Sequence, residues 1–195
     1  MAFDITTFRQ ALVYDGQRPN LFEVKIPHGS ASFFNGTDIN LFAKGTSIPG
    51  TTIGTVVVPY FGREVKLAGN RTFPEWTITV INDENFAIRS QFEKWMNGIN
   101  DHVTNTRQTG DSSSAYALVG NVQQFSKSGS SKVTASYSFH GMFPTDLSEI
   151  TLDWGDNDTI EEYTVTFSYD YWSRTKSSQT GGKGTADTIS IGASA

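Results

Sequence analysis

Along residues 75–81 apolar and polar positions alternate, with Trp76, Ile78 and Val80 on one face and Thr77 and Thr79 on the other. A period of two predicts a half-buried strand. Asn82 and Asp83 end it and the period changes. Ile88, Phe92, Trp95 and Ile99 then fall at i, i+4, i+7 and i+11, one stripe of an α-helix. Asp83 is the expected N-cap, Glu84 the first-turn acid that suits the helix dipole, and Gly98 the expected C-cap. The spacing therefore predicts a helix over 83–98.

Other segments read mainly as strands. Residues 21–26 and 41–44 are short candidates, the first preceded by Arg18-Pro19, which favours extended backbone. Residues 45–69 hold Ile48-Pro49-Gly50, an unbroken Ile/Val-rich piece near 55–58, a turn at Gly62 and an alternating piece over 64–67. That pattern predicts a long hairpin. After a polar loop at 101–114, strands are expected at 116–125 and 132–142 around a Ser/Gly turn, and again at 162–171. In the last, Tyr163, Val165, Phe167, Tyr169 and Tyr171 share one face. The sum is a mainly β domain: two packed antiparallel β-sheets or a distorted β-barrel with one flanking α-helix.

Length and composition set the frame. At 195 residues there is room for one domain. We divide it into residues 1–172, with an N-terminal arm over 1–20, and a low-complexity tail over 173–195 rich in Gly, Ser, Thr and Ala. In that tail disorder is the expectation, with strand addition by 188–191 to a neighbour's sheet edge as the other reading. The chain has no cysteine, which excludes a thiolate metal site or a disulfide scaffold and fits a reducing cytoplasm. It shows no signal-peptide pattern and no apolar run long enough to span a bilayer, so membrane insertion is not expected and the chain is read as soluble. A net charge of -5 argues against gripping nucleic acid through a basic surface.

The residues that carry chemistry elsewhere are poorly arranged here. His28, His102 and His140 lack any spacing that brings two onto one metal. Asp153, Asp156 and Asp158 sit in D-W-G-D-N-D, which misses the calcium-loop pattern and reads better as a solvated turn. Adjacent pairs such as Asp83 and Glu84 or Glu161 and Glu162 do not supply a glycosidase geometry, since the two carboxyls must flank the bond about 5 Å or more apart and neighbouring strand residues point to opposite faces. The glycines at 181, 182 and 184 lack the strand and helix that frame a phosphate loop. No enzyme and no cofactor are expected. The aromatic content, 13%, raises a rival: a carbohydrate-binding β-sandwich using aromatic faces. Against it, Trp76 and Trp95 lie on inward faces, while Trp154 and Trp172 are undetermined.

Three separated motifs point further. The strand-to-helix unit at 70–98, the Arg18-Pro19-Asn20-Leu21-Phe22 segment, and Leu152-Asp153-Trp154 with Asp170-Tyr171-Trp172 stand in order across residues 1–172. Together they resemble the tail tube proteins of contractile-tailed (myovirus) phages, to which the tube protein of type VI secretion is similar. The resemblance implies a tail tube fold, hexameric rings stacked into the inner tube of the tail, and a conduit for DNA ejection. It also implies a structural virion protein that assembles in the host cytoplasm. Its implied partners are further copies of itself, the sheath, the baseplate and the tail terminator, with DNA passing transiently and non-specifically. A related contractile injection particle is the alternative. The hairpin at 45–69 is the expected ring-to-ring contact, being too long and too apolar for an idle turn. Its candidate residues are Ile48, Pro49, Ile53, Val56, Val57, Val58, Tyr60, Phe61 and Arg63. The lumen is expected to be neutral or acidic, since duplex DNA carries a charge about every 1.7 Å and would stick to a basic bore.

Overall fold

A computed structural model describes residues 4–12, 16–26, 39–110, 112–128 and 132–176. His28, the glycines at 181–184 and the tail segment 188–191 lie outside those residues. Nine strands are present among the described residues: β1 (Phe22–Lys25), β2 (Ala43–Thr46), β3 (Thr52–Tyr60), β4 (Arg63–Thr72), β5 (Trp76–Ile81), β6 (Leu118–Phe125), β7 (Val133–Leu147), β8 (Glu162–Ser168) and β9 (Tyr171–Lys176). The α-helices among the described residues are α1 (Ile5–Ala11), the single turn α2 (Ile39–Phe42) and α3 (Ala87–Ile99). The expected class is found: mostly β, in two antiparallel sheets with one main helix. Strands run in the order β1-β6-β7-β8-β5-β2, so the ends at β1 and β2 do not close into a barrel.

The long strand β7 makes both layers. It pairs with β6 as far as Met142 and with β9 as far as His140, and from Phe143 onward it pairs with β8. The corner is Gly141 at φ +69, where a Cβ would meet the Asp170 carboxylate at 2.2 Å, so only glycine fits. Opposite it the expected single strand 162–171 breaks into β8 and β9 at Tyr169 and Asp170, with the Asp170 amide donating to the His140 carbonyl at 2.9 Å. A strand bent at a glycine is how one sheet turns into the next. β9 then runs past the composition change at 172 to Lys176.

Between the layers lies the aromatic core. Trp76 stacks on Phe139 across the sandwich at 4.3 Å and touches Phe167 at 5.4 Å. α3 covers the far side of Phe167, with Phe92 at 6.0 Å and Trp95 at 6.2 Å. Its buried residues are Ile88, Phe92, Trp95 and Gly98. The predicted helical stripe is thus turned into the chain's own core.

The helix termini differ from expectation. α3 begins at Ala87, because Phe86 takes the left-handed N-cap position at φ 52 and ψ 24. Asp83 still serves the helix start from three residues upstream of that cap. Its carboxylate accepts from the Ala87 and Ile88 amides at 2.9 and 3.3 Å, after a turn closed by Phe86 N–H on the Asp83 carbonyl. Glu84 is therefore in that turn and outside the first helical turn. Gly98 is inside the helix, buried, and its carbonyl accepts from Gln108 and Thr109 at 3.1 Å; Asn100 is the C-cap. The expected strand at 41–44 is half helix, half strand: α2 ends at Phe42 and β2 starts at Ala43.

Candidate assembly surface

Among the described residues the hairpin packs on neither layer of the sandwich. β3 and β4 form a two-stranded sheet of their own, in which every residue is exposed except Gly69, which is half-buried. They are longer than the pattern predicted because their pairing runs from Thr52 opposite Thr72 to Tyr60 opposite Arg63. At the tip Phe61 and Gly62 both have positive φ, 44 and 78. That is the two-residue turn whose twist suits a hairpin, with glycine at one of the two strained positions. Near the middle the register shifts between Ile53 and Thr55, and Gly54 faces Gly69, where a Cβ would come within 3.1 Å of the Gly54 carbonyl oxygen. A bulge between two glycines bends the ribbon there.

Register decides which side chains share a face. Val56 lies opposite Leu67, Val58 opposite Val65, and Tyr60 opposite Arg63, so these six form one face of the ribbon. The other face pairs Thr55 with Ala68, Val57 with Lys66 and Pro59 with Glu64. One face is therefore apolar with a cation at its end, and the other is mixed. The apolar face is open: Val56, Val58, Val65 and Leu67 keep 42–52% of their surface, and Phe61 at the tip keeps 90%. Tyr60 and Phe61 meet edge to face at 4.6 Å, making an aromatic knob beside Arg63.

The root of the ribbon is fixed. Trp76, buried in the core, donates its indole N–H to the Ser47 carbonyl at 3.0 Å. Trp172, half-buried against Tyr137, donates to the Gly50 carbonyl at 3.1 Å. Two rigid rings thus hold the approach to β3, and Trp172 gains a use the sequence left open. Of the nine candidate residues, Val56, Val58, Tyr60 and Arg63 are brought onto one face, Phe61 caps it, and Val57 lies on the other face. Ile53 sits at the bulge, and Ile48 and Pro49 stay at the root. The sequence reading left out Val65 and Leu67. Antiparallel pairing across a turn centred on Phe61 and Gly62 is the signal that adds them.

The tempting side chains elsewhere are spoken for locally. Asp153 accepts the Gly155 amide at 2.8 Å, the geometry of an Asx turn. His140 stacks on Tyr171 at 4.6 Å and meets Ser173 Oγ at 3.0 Å. Burial pushes the Tyr163 phenol well up, with the nearby Arg89 cation opposing, and burial also raises Tyr169. Both phenols line the packed interior.

The domain is thus a two-sheet β structure that projects an open apolar ribbon from a fixed root. The chain belongs to the phage tail tube protein family, whose model matches residues 17–175. It is 32% identical over 161 residues to tail tube protein gp19 of Enterobacteria phage T4, covering 81% of this chain and 91% of that one. It is 27% identical over 169 residues to the tail tube protein of Serratia phage KSP90, covering 85% and 93%. Among solved structures, the tube-terminating cap of the anti-feeding prophage shares the fold with TM-score 0.61 at 16% identity, over 83% of this chain and 91% of that chain. The protein is accordingly a structural component of a phage virion tail, made in the host cell.

Proposed function

We propose that copies of this chain close head to tail into hexameric rings, that the rings stack into the inner tube of a contractile tail, and that DNA leaves through the bore. Sheath, baseplate and tail terminator are its partners, and the work it does is structural. Family membership supports the tube, and the observation that carries the stacking step is the open apolar face of the β3–β4 ribbon. A two-stranded ribbon is marginal alone, so a partner surface must cover it. Covering Val56, Val58, Val65 and Leu67 contributes on the order of 4 kcal/mol, taking about 1.5–3 kcal/mol per side chain and counting half as already buried. Repeated around a ring, that contact is multivalent, which offsets the cost of fixing each subunit. The bore is neutral or acidic, so that the phosphate backbone slides past it.

The test is an assembly assay by negative stain and sedimentation. Replacing residues 55–68 with a short Gly/Ser turn is expected to leave folded rings and abolish tubes, seeded or not. Tubes of ordinary length from the shortened chain would remove the ribbon from the stacking contact. A monomer that neither closes nor stacks at high concentration beside baseplate would remove the tube reading itself.

A further inference from the structure

The connection between β7 and β8 is the hairpin's opposite in charge and in place. Residues 148–161 carry five acids, Glu149, Asp153, Asp156, Asp158 and Glu161, and no base. Between 52 and 72 the hairpin carries Arg63, Lys66 and Arg71 against the single acid Glu64. The connection is apolar as well: Leu152, Trp154 and Ile160 are 77%, 101% and 71% exposed, and Leu152, Trp154 and Ile160 line an open groove that also includes Asp153 and Asp156. An unpartnered Trp among acids is an anomalous thing for a solvated turn to display.

Register places these two features at opposite ends of one sheet. β5 starts at Trp76, opposite Phe167, just after the hairpin root; it ends at Ile81, opposite Glu162, just beside the connection. At about 3.3 Å per step the strand sets the hairpin root and the connection roughly 17 Å apart. Both feet of the connection are held. Ser148 exchanges bonds with Thr164 at 2.9 Å and its carbonyl accepts from Arg89 at 3.1 Å. At the other foot Asn82 donates to the Glu161 carbonyl at 2.9 Å and to its carboxylate at 2.8 Å.

From this placement we infer that the groove over residues 149–160 is the receptor for the hairpin tip of the next copy along the axis. The inference rests on the reading of the ribbon as the stacking contact. A head-to-tail repeat joins opposite ends of a subunit, which is where the two complementary surfaces lie. Tyr60 and Phe61 fill the apolar groove, and Arg63 stands toward Asp153 and Asp156. The apolar contact supplies the affinity, while the charges guide encounter and fix register, because exposed ion pairs are weak and screened by salt.

Charge reversal separates the two claims. Arg63→Glu with Lys66→Glu, and Asp153→Lys with Asp156→Lys, are each expected to cut tube yield at least tenfold while rings persist; all four together restore it to within a few-fold. If the loop pair polymerises normally and the hairpin pair does not, the stacking reading stands and the groove is wrong as its receptor. If both polymerise normally, the inference is overturned and the stacking reading is left to the shortened hairpin. If both fail and the fourfold variant is not rescued, crosslinking decides. The chain has no cysteine of its own, so Tyr60→Cys with Thr159→Cys introduces the only thiols and keeps every charge. A short bifunctional maleimide then gives a ladder beyond dimers in assembled tubes if the surfaces meet, and assembled tubes without a ladder overturn the inference.

Discussion

The strand–helix unit at 76–99 and the hairpin at 52–72 carry similar loads of Ile, Val and aromatic residues, yet one is the core and the other is surface. Trp76, Ile78, Val80, Phe92 and Trp95 are at most 1% exposed, whereas Val56, Val58, Val65 and Leu67 are about half open. The difference is what lies across from them. β5 faces Phe139 across the sandwich and α3 covers Phe167, whereas among the described strands β3 and β4 pair only with each other. The chain therefore holds its fold in one region and leaves another, similarly apolar one uncovered.

The comparison breaks most visibly at Trp76. Trp76→Ala removes the Phe139 stack, the Phe167 contact and the bond to Ser47, so denaturant unfolding of the unassembled chain should show a loss of about 3–5 kcal/mol. A loss under 1 kcal/mol would mean that the sandwich interior is not the stability core.

Val56→Ser with Leu67→Ser is expected to do the reverse. Unfolding should shift by no more than about 0.5 kcal/mol, as for open surface positions, while tube yield falls at least tenfold. If this pair unfolds the subunit instead, the ribbon is packed on its own chain in solution and the contrast collapses.

Trp172→Phe sharpens the boundary between the regions. It keeps an aromatic ring beside Tyr137 but trims the indole and deletes the N–H bond to Gly50, the lost bond being worth about 1 kcal/mol. Hydrogen exchange should quicken in β3 and β4 and stay unchanged in β5 and α3. Equal quickening in both regions would show that the root does not insulate one from the other.

The smallest effect concerns the turn that follows α3. Hydrogen bonds from the Thr104 hydroxyl and amide hold the Asp101 carboxyl below its ordinary value of 3.8. Because the folded-state pKa is lowered, the contribution of this turn is complete above 3.8 and is lost as pH falls through the folded value. In an acid titration the Thr104 amide resonance should move with a midpoint below 3.8. A midpoint at or above 3.8 contradicts the bonding seen at this turn.

Much of the fold was legible in the residues. Alternation located β5 and β8, the stripe from Ile88 to Trp95 located α3, and Gly62 between an Ile/Val-rich piece and an alternating one located the hairpin. The errors cluster where a contact distant in sequence decides. Asp83 has the side chain of an N-cap, but Phe86 turns left-handed and the carboxylate reaches the helix from upstream. The apparent single strand over 162–171 is cut because β7 bends at Gly141 and its neighbour must bend with it. In the candidate site, the residues of β3 were readable as an apolar run, while Val65 and Leu67 joined them only through cross-strand register.

By itself the sequence determined which residues share a face, where the chain turns and that a long ribbon exists, because these follow from backbone periodicity and turn geometry that neighbours in sequence impose. Only the tertiary structure decided which apolar faces are covered, that Trp172 braces the ribbon's root, and that the ribbon and the acidic connection occupy opposite ends of one sheet. Burial is a property of what stands across a gap, and periodicity carries no record of that.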